Sequence, residues 1–467
     1  MRQAERLSCL AIPTAPGYKR HSATHPRSAV RNSQRLDWRR VLALVAGVLA
    51  GASPAAAAVL NSDQIYRQAR PSIVEVRQEL KANDGMHTRS TGFLVQNPRR
   101  VATNYHAIAK SVFYPEDYRL VVLSGNARRH QVSVVAVDVT NDLAILDISP
   151  ALDATPLAIN PAVPARGKKG YSSGLAGGFG HSIVEGTLNG EAEQAGLPMI
   201  HFSGAINHGM SGGPTLDGTG AVVGINTAIV NDRQLTSFLA PARYLNALIG
   251  QAPSTGPPSL DRLKQDMARQ FRAYGQQQVR AALQPRPQTG RLGPFTILGQ
   301  LHPEKECGGD RDDKVGDRFK IYRQSCESAY AAFVLDELSV GLIAVGHYWL
   351  HGPGFRPIQM ARVQEHKLRE LANLEEAPNR ELGPWQCRQA RLRVADDLPV
   401  DLHACRRTLK NLPGLHDYRF RATLLVPGDD ALVAAMGAHG FDEANARLLL
   451  RALLDALRYR PLAGSGP

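Results

Sequence analysis

The stretch GAINHGMSGGPTLDG, residues 204–218, sets one serine, Ser211, between Gly209 and the pair Gly212–Gly213. Glycines on both sides of a single serine mark a backbone that turns tightly and approaches something closely. Such a turn suits a nucleophile whose neighbouring main-chain N–H groups receive an oxyanion, and the N–H groups of Gly209 and Ser211 are the expected donors. A serine hydroxyl is a weak nucleophile until a base takes its proton, so the chemistry requires a histidine and an acid elsewhere. His106 stands in RVATNYHAIAK, where strand-like residues lead into a turn, and Asp142 stands in TNDLAILDIS, directly before a strand. Neutral imidazole, with a pKa of about 6.5, can take the serine proton and return it to a leaving group. A buried carboxylate holds the imidazole tautomer and stabilises the imidazolium as it forms. The three occur in the order His106, Asp142, Ser211; Asp147, inside the strand on the face of Leu143 and Ile145, is a rival acid.

These residues need a rigid frame. Over residues 62–250 short apolar runs recur between turn residues: SIVEVR, TGFLV, RVATNYH, YRLVVLSG, VSVVAVD, LAILDI and AVVGINTAIV. Many short strands at such spacing predict an all-β barrel or sandwich. ARYLNALI, 242–249, reads as a short closing helix and QAPSTGPPS, 251–259, as a linker. Ser259 is a plausible N-cap for an amphipathic helix whose stripe is Leu260, Leu263, Met267, Phe271 and Tyr274, suited to packing on a neighbouring domain. QPRPQTGRLG, 284–293, ends it. Residues 294–467 open with strand-like runs and close on FDEANARLLLRALLDALRY, where Asp442 caps a helix with the stripe Ala446, Leu449, Leu450, Leu453 and Leu457. This second unit reads as α+β without a catalytic constellation, and its His347, His351 and His403 lack metal-binding spacing. GYSSGLAGGFG, 170–180, lacks the spacing of a phosphate loop and is expected as a flexible loop between strands. His208 stands next to the serine turn but is not expected to be a second catalytic histidine; Asn207 and Ala205 read as residues that shape the turn and its pocket.

A chain of 467 residues can build two or three domains, and its 43% hydrophobic content is ordinary for globular proteins. The net charge of +13 would suggest an anionic partner, but residues 1–58 hold nine Lys/Arg against two Asp/Glu, more than half of the excess. The remainder is mildly basic, with no basic stripe interleaved with aromatics, which argues against nucleic acid. RLDWRRVLALVAGVLAGASPAAAAVL has the layout of a secretory signal: Arg35, Arg39 and Arg40, then an apolar run from Val41 to Ala52, then small residues ending at Ala58. The run is short for a membrane span of about 20 residues, so no span is expected in the mature form. Arg39–Arg40 fits a twin-arginine signal poorly. Residues 1–58 are therefore expected as a removed signal region, and the protein as periplasmic or secreted. Beyond Cys9, four cysteines remain, and an even count in an exported chain predicts two disulfides. Cys307–Cys326 and Cys387–Cys405 close the shortest loops; zinc is the rival, but no C-x-x-C pair occurs.

Taken together, GFLV…VATNYHAI, NDLAILDI, GAINHGMSGGP and GTGAVVGINTAIV, with ARPSIVEV at the start, resemble the motifs of the trypsin-like (chymotrypsin-fold) serine peptidases, HtrA/Deg-like branch. The resemblance covers residues 62–250, under half of the chain. It implies a mostly β fold: a double β-barrel protease domain over 59–250, with the triad between barrels. A linker with the amphipathic helix follows over 251–293, and a smaller α+β domain with the two disulfides over 294–467. It implies His106 as base, Asp142 as orienting acid, Ser211 as nucleophile, Gly209 as oxyanion donor, protein or peptide substrates, and neither metal nor organic cofactor. Ala205, six residues before the nucleophile, would lie at the base of the pocket for the side chain preceding the cut. Thr227, Ala228 and Ile229 would form the edge that pairs with substrate backbone. Cleavage after small or medium apolar residues is expected.

The chain also departs from that branch. Nothing in 260–467 resembles the peptide-binding PDZ domain usual there, so the branch's trimeric assembly is not carried over. Met210 has no carboxylate to receive a freed N-terminal ammonium, and a buried unpaired charge would cost several kcal/mol. The serine turn is thus expected to be shaped by Gly209, Gly212, Gly213 and the packing of Met210, with the 170–180 loop ordered against it. The two rivals to an exported serine endopeptidase are a protease-fold binding or scaffold protein with little turnover, and an esterase-type acyl hydrolase.

Overall fold

Val74 and Val76 alternate with Glu75 and Arg77 along the first strand, and the two valines are buried. This period of two is what rolls a strand's apolar side inward. In the computed structural model, described for residues 59–461 except 126, 178–179, 192–196, 230–235, 254–255, 304, 313–318, 329–330, 336–337 and 373–378, a short helix α1 (Ser62–Ala69) precedes that strand. The expected export segment, residues 1–58, lies outside the described residues. Strands β1 (Ile73–Leu80), β2 (Asn83–Leu94), β3 (Arg100–Thr103), β4 (Tyr118–Leu123), β5 (Arg129–Asp138) and β6 (Leu143–Ser149) close a barrel in the order β1-β2-β3-β6-β5-β4. Helix α2 (Ala109–Phe113) sits between β3 and β4.

A second closed barrel follows, built from β7 (Lys168–Leu175), β8 (His181–Glu191), β9 (Ile200–Phe202), β10 (Pro214–Leu216), β11 (Val222–Ile229) and β12 (Ser237–Pro241). Its order is β10-β11-β12-β9-β8-β7, and α3 (Ala242–Gln251) ends it. Here one expectation is corrected. Residues 170–175 of the glycine-rich stretch are strand β7, not loop; residues 178–179 lie outside the described residues. Gly170 and Gly174 are small because neighbours press on them: a Cβ on Gly174 would lie 2.9 Å from the Cα of Met210.

Helix α4 (Leu260–Leu283) starts where Ser259 accepts a hydrogen bond from Arg262 N–H at 3.3 Å. Its Leu263, Met267, Phe271 and Tyr274 join the core of the first barrel, and Gln270 bonds the backbone of Val137 and Val139. Farther along, Val279 and Ala282 enter a different core, that of the C-terminal sheet. One helix thus carries both apolar contacts.

The C-terminal part is α+β, as expected. Its strands are β13 (Thr289–Leu292), β14 (Phe295–Leu298), β15 (Gly308–Asp312), β16 (Lys320–Glu327), β17 (Ala332–Leu335), β18 (Leu338–Val340), β19 (Leu342–His351), β20 (Gln386–Val394), β21 (Leu398–Thr408), β22 (His416–Leu425), β23 (Asp430–Phe441) and β24 (Arg458–Tyr459). Seven form an antiparallel sheet in the order β15-β16-β19-β23-β22-β21-β20; β13-β14-β24 form a small sheet, and β17-β18 a separate hairpin. Helix α5 (Pro357–Ala372), which the sequence pattern did not suggest, puts Met360 against Leu350, Ala431 and Val433. Helix α6 (Glu443–Asp455), capped by Asp442 on Asn445 N–H at 2.8 Å, buries Leu449 and Leu453 with Leu432 and Ala434. Successive strand residues point to opposite faces, so the two helices cover opposite sides. Both near-neighbour disulfides are present, Cys307–Cys326 and Cys387–Cys405, the second between residues directly opposite on β20 and β21. Among the described residues no helix is long and apolar enough to cross a membrane.

Candidate active site

Strand β3 ends at Thr103, and the chain turns through Asn104 and Tyr105 to present His106. Asp142 stands before β6 with φ +56°, the left-handed region that costs a non-glycine residue about 1 kcal/mol or more. Local bonds hold it there. Its carbonyl accepts from Tyr105 N–H at 3.2 Å and from the Asn104 side chain at 2.8 Å. Its carboxylate then meets His106 twice: Oδ1 accepts the backbone N–H at 2.9 Å and Oδ2 lies 2.7 Å from Nδ1. With Nδ1 so engaged, the ring's orientation is set and its Nε2 lies on the side away from the carboxylate. Asp147, the rival acid, instead pairs with Arg99 at 3.1 Å.

The second barrel completes the carboxylate's surroundings. Thr227 on β11 donates its hydroxyl to Asp142 Oδ2 at 2.5 Å. Beside it Tyr105 is fully buried; burial, then the Asp142 charge, push its hydroxyl well above the ordinary tyrosine pKa. It therefore stays protonated, and donates to the carbonyl of Val334 on β17 at 2.8 Å.

Ser211 lies on the turn between β9 and β10. Gly209 has φ +91° and Gly212 φ +82°, and neither has room for a Cβ: one on Gly209 would lie 2.3 Å from the carbonyl of Leu175, one on Gly212 2.2 Å from that of Thr91. Met210 is fully buried among Leu188, Phe202 and Leu239. The buried Asn226 side chain ties the turn down: its amide donates to the carbonyls of Met210 (3.1 Å) and Ser173 (3.3 Å), and its oxygen accepts from Ser172 (2.9 Å) and Thr215 (2.8 Å). Thr91 of β2 donates from its N–H to Ser211 C=O (2.8 Å) and from its hydroxyl to Gly209 C=O (2.7 Å).

The loop after β7 touches this turn directly. Gly177 N–H donates to the carbonyl of His208 at 3.0 Å, and Leu175 N–H donates to the Thr91 hydroxyl at 2.9 Å. In a trans peptide C=O and N–H point opposite ways, so the Gly209 N–H is aimed away from the loop.

His106, Asp142, Gly209, Ser211 and Thr227 line one cleft of about 720 Å³. The other sequence-assigned residues stand as follows. Ala205 is exposed and does not line that cleft. Thr227, Ala228 and Ile229 lie at the end of β11; Ala228 and Ile229 pair with β12 on one side and Thr227 stands at a bulge in that pairing, while β10 pairs on β11 only with Val222–Ile225, so the other edge of 227–229 has no strand partner among the described residues. The four cysteines are in the C-terminal part. Among the described residues no group of three His, Cys, Asp or Glu is placed to hold a metal. Asn226, Thr91 and the hairpin residue Phe333 were not foreseen. For Asn226 the signal was a lone amide inside the apolar run AVVGINTAIV; for the other two the sequence carried none.

Residues 90–225 match the family described as the trypsin-like peptidase domain. Curated relatives include Protease Do-like 1, chloroplastic, of Arabidopsis thaliana, 27% identical over 41% of this chain and 47% of that one. Serine protease HTR4 of Rattus norvegicus is 26% identical over 40% of this chain and 42% of its own length. The chain thus spans less than half the length of these relatives. A solved structure of a protease from M. tuberculosis in its active form is 24% identical, covers 45% of this chain and 92% of that one, and superposes with a TM-score of 0.37. The motifs' resemblance to HtrA/Deg-like trypsin-fold peptidases is matched by the family model, by the names of the curated relatives and by the two closed six-stranded barrels.

Proposed function

We propose that this chain is an exported serine endopeptidase, with His106 as base, Asp142 as orienting acid, Ser211 as nucleophile and the N–H groups of Gly209 and Ser211 as oxyanion donors. The observation that carries this is the pairing of His106 Nδ1 with Asp142 Oδ2 at 2.7 Å in the cleft that Ser211 also lines. In the reaction, Ser211 Oγ attacks the peptide carbonyl while His106 Nε2 takes its proton. The oxyanion of the tetrahedral intermediate moves onto the two main-chain donors, each worth on the order of 3 kcal/mol in the transition state. His106 then gives the proton to the leaving amine, and water repeats the sequence on the acyl-enzyme. Asp142 keeps the imidazole in the productive tautomer, and Thr227 keeps Asp142 in place.

The substrates are proteins or peptides, laid against the Thr227–Ile229 edge by strand addition. The residue before the cut is small or medium and apolar: Ala205, six residues before the nucleophile, brings no charge for Lys or Arg, although it stands outside the cleft that His106 and Ser211 line. Residues 59–250 act as the protease domain, 251–293 as the linker helix region and 294–467 as an accessory domain. The signal-like residues 1–58 and two disulfides support export to the periplasm or beyond. The test is fluorophosphonate labelling of the chain from Val59 onward, followed by peptide and ester turnover. Labelling at Ser211 with peptide cleavage is expected; no labelling points to the scaffold alternative, and ester turnover without peptide cleavage to the acyl hydrolase.

A further inference from the structure

Among the described residues, the C-terminal part reaches the cleft through one hairpin, β17–β18. Along β17, Ala332 and Val334 are buried and enter the core of the first barrel with Ile108, Val112 and Phe113 of the segment after His106. The Val334 carbonyl receives the Tyr105 hydroxyl at 2.8 Å, so the hairpin is tied to the residue directly before His106. Phe333, between them, must point the other way. It is 38% exposed, although its neighbours on both sides are covered. Its ring stands edge-on to the His106 ring at 85°, with centroids 6.3 Å apart. Phe333 lines the cleft that holds His106 and Ser211, along with the half-buried Leu197 and Met199 of the second barrel.

A half-exposed aromatic ring beside a reacting histidine presents apolar surface to whatever lies there, and covering that surface removes it from water. The ring's position is set by a buried backbone bond and a shared core, so it is fixed before substrate arrives. We propose that Phe333 is a specificity-determining residue: with Leu197 and Met199 it forms an apolar subsite beside His106 that selects peptides with a large apolar side chain at one position flanking the cut. This subsite is separate from the pocket assigned to Ala205, and the proposal rests on the endopeptidase reading. It gives the accessory domain a direct part in substrate choice.

The test uses the full mature chain and paired peptides that differ at a single position, leucine against glycine, scanned through the positions on both sides of the scissile bond. At one position the wild type prefers leucine, and Phe333→Ala lowers the leucine-to-glycine ratio of kcat/KM about tenfold, the scale of an apolar pocket contact. Phe333→Leu restores most of it. An unchanged ratio at every position, or loss of both peptides by one common factor, overturns the proposal. The same ratio is read as Kd in the Ser211→Ala background, where no turnover is needed. If the wild type fails to label with fluorophosphonate, the hydrolase reading falls, and the Kd ratio still decides whether Phe333 selects the bound side chain.

Discussion

Thr227 and Asp142 belong to different barrels, yet the threonine hydroxyl donates to the aspartate Oδ2 at 2.5 Å, on the same oxygen that faces His106 Nδ1. This bond adds a third donor to a carboxylate that His106 already holds by its backbone N–H and by Nδ1. Thr227→Val keeps the shape and removes the donor. It is expected to lower kcat/KM about tenfold, since a hydrogen bond to a charged group is worth about 1.5 kcal/mol or more. Thr227→Ser is expected to retain most activity. Equal kcat/KM for the valine variant and wild type would separate Thr227 from the carboxylate's function.

Ser211→Ala and His106→Ala should each abolish peptide cleavage while circular dichroism and thermal unfolding stay near wild type, because the two act as a unit. Asp142→Asn should lose most activity, on the order of 10⁴-fold, through the wrong imidazole tautomer. Near wild-type cleavage by His106→Ala would show that the base is elsewhere.

Asn226→Leu leaves the carbonyls of Met210 and Ser173 and the hydroxyls of Ser172 and Thr215 without their partner inside the second barrel. The Met210 carbonyl keeps the Gly213 N–H, but each of the two buried hydroxyls left unpaired costs about 1–3 kcal/mol, so a loss of about 2–6 kcal/mol in denaturant unfolding is expected. Fluorophosphonate labelling should fall further than the folded fraction does, because the same side chain ties down the serine turn. Labelling that tracks the folded fraction would mean Asn226 serves stability alone.

The disulfides close sequence separations of 19 and 18 residues, and both lie in the C-terminal part. Loops of that size contribute about 3 kcal/mol each in the chain-entropy model. Reduction should destabilise residues 294–467, seen as new hydrogen exchange there, while β1–β12 stay protected. Uniform loss of protection across both parts would contradict this.

His347 is fully buried, neither ring nitrogen has a hydrogen-bond partner among the described residues, and burial lowers its pKa to about 3. His181 shifts the same way, to about 4, through burial and then the charge of Arg70. In the unfolded chain both titrate near their ordinary value of about 6.5. Between that pH and their folded values the unfolded state binds more protons, so stability falls as the pH drops through this window and is fully present above it. His347→Leu should flatten the slope of unfolding free energy against pH between about 6 and 4 by up to a proton's worth. An identical slope in the variant would show that His347 is not the group responsible.

The candidate site was legible where its residues lie along the chain. Glycines around Ser211, a histidine after a strand and an acid before one are local patterns, because a tight turn and a strand end each demand particular residues within a few positions. The strands of the first barrel, the caps at Ser259 and Asp442 and the two short disulfide loops were legible for the same reason. The strands β7 to β10 and β12 were not: in β7 and β8 the glycines that let neighbours approach read as loop, and β9, β10 and β12 are only three to five residues long, too short to show a period. What only the tertiary structure decided is who meets whom. Thr227 meets Asp142 across two barrels, Asn226 gathers four partners from three segments, and Phe333, more than two hundred residues after His106, stands beside it. Such contacts depend on packing between elements distant in sequence, and no periodicity within either partner encodes the distance between them.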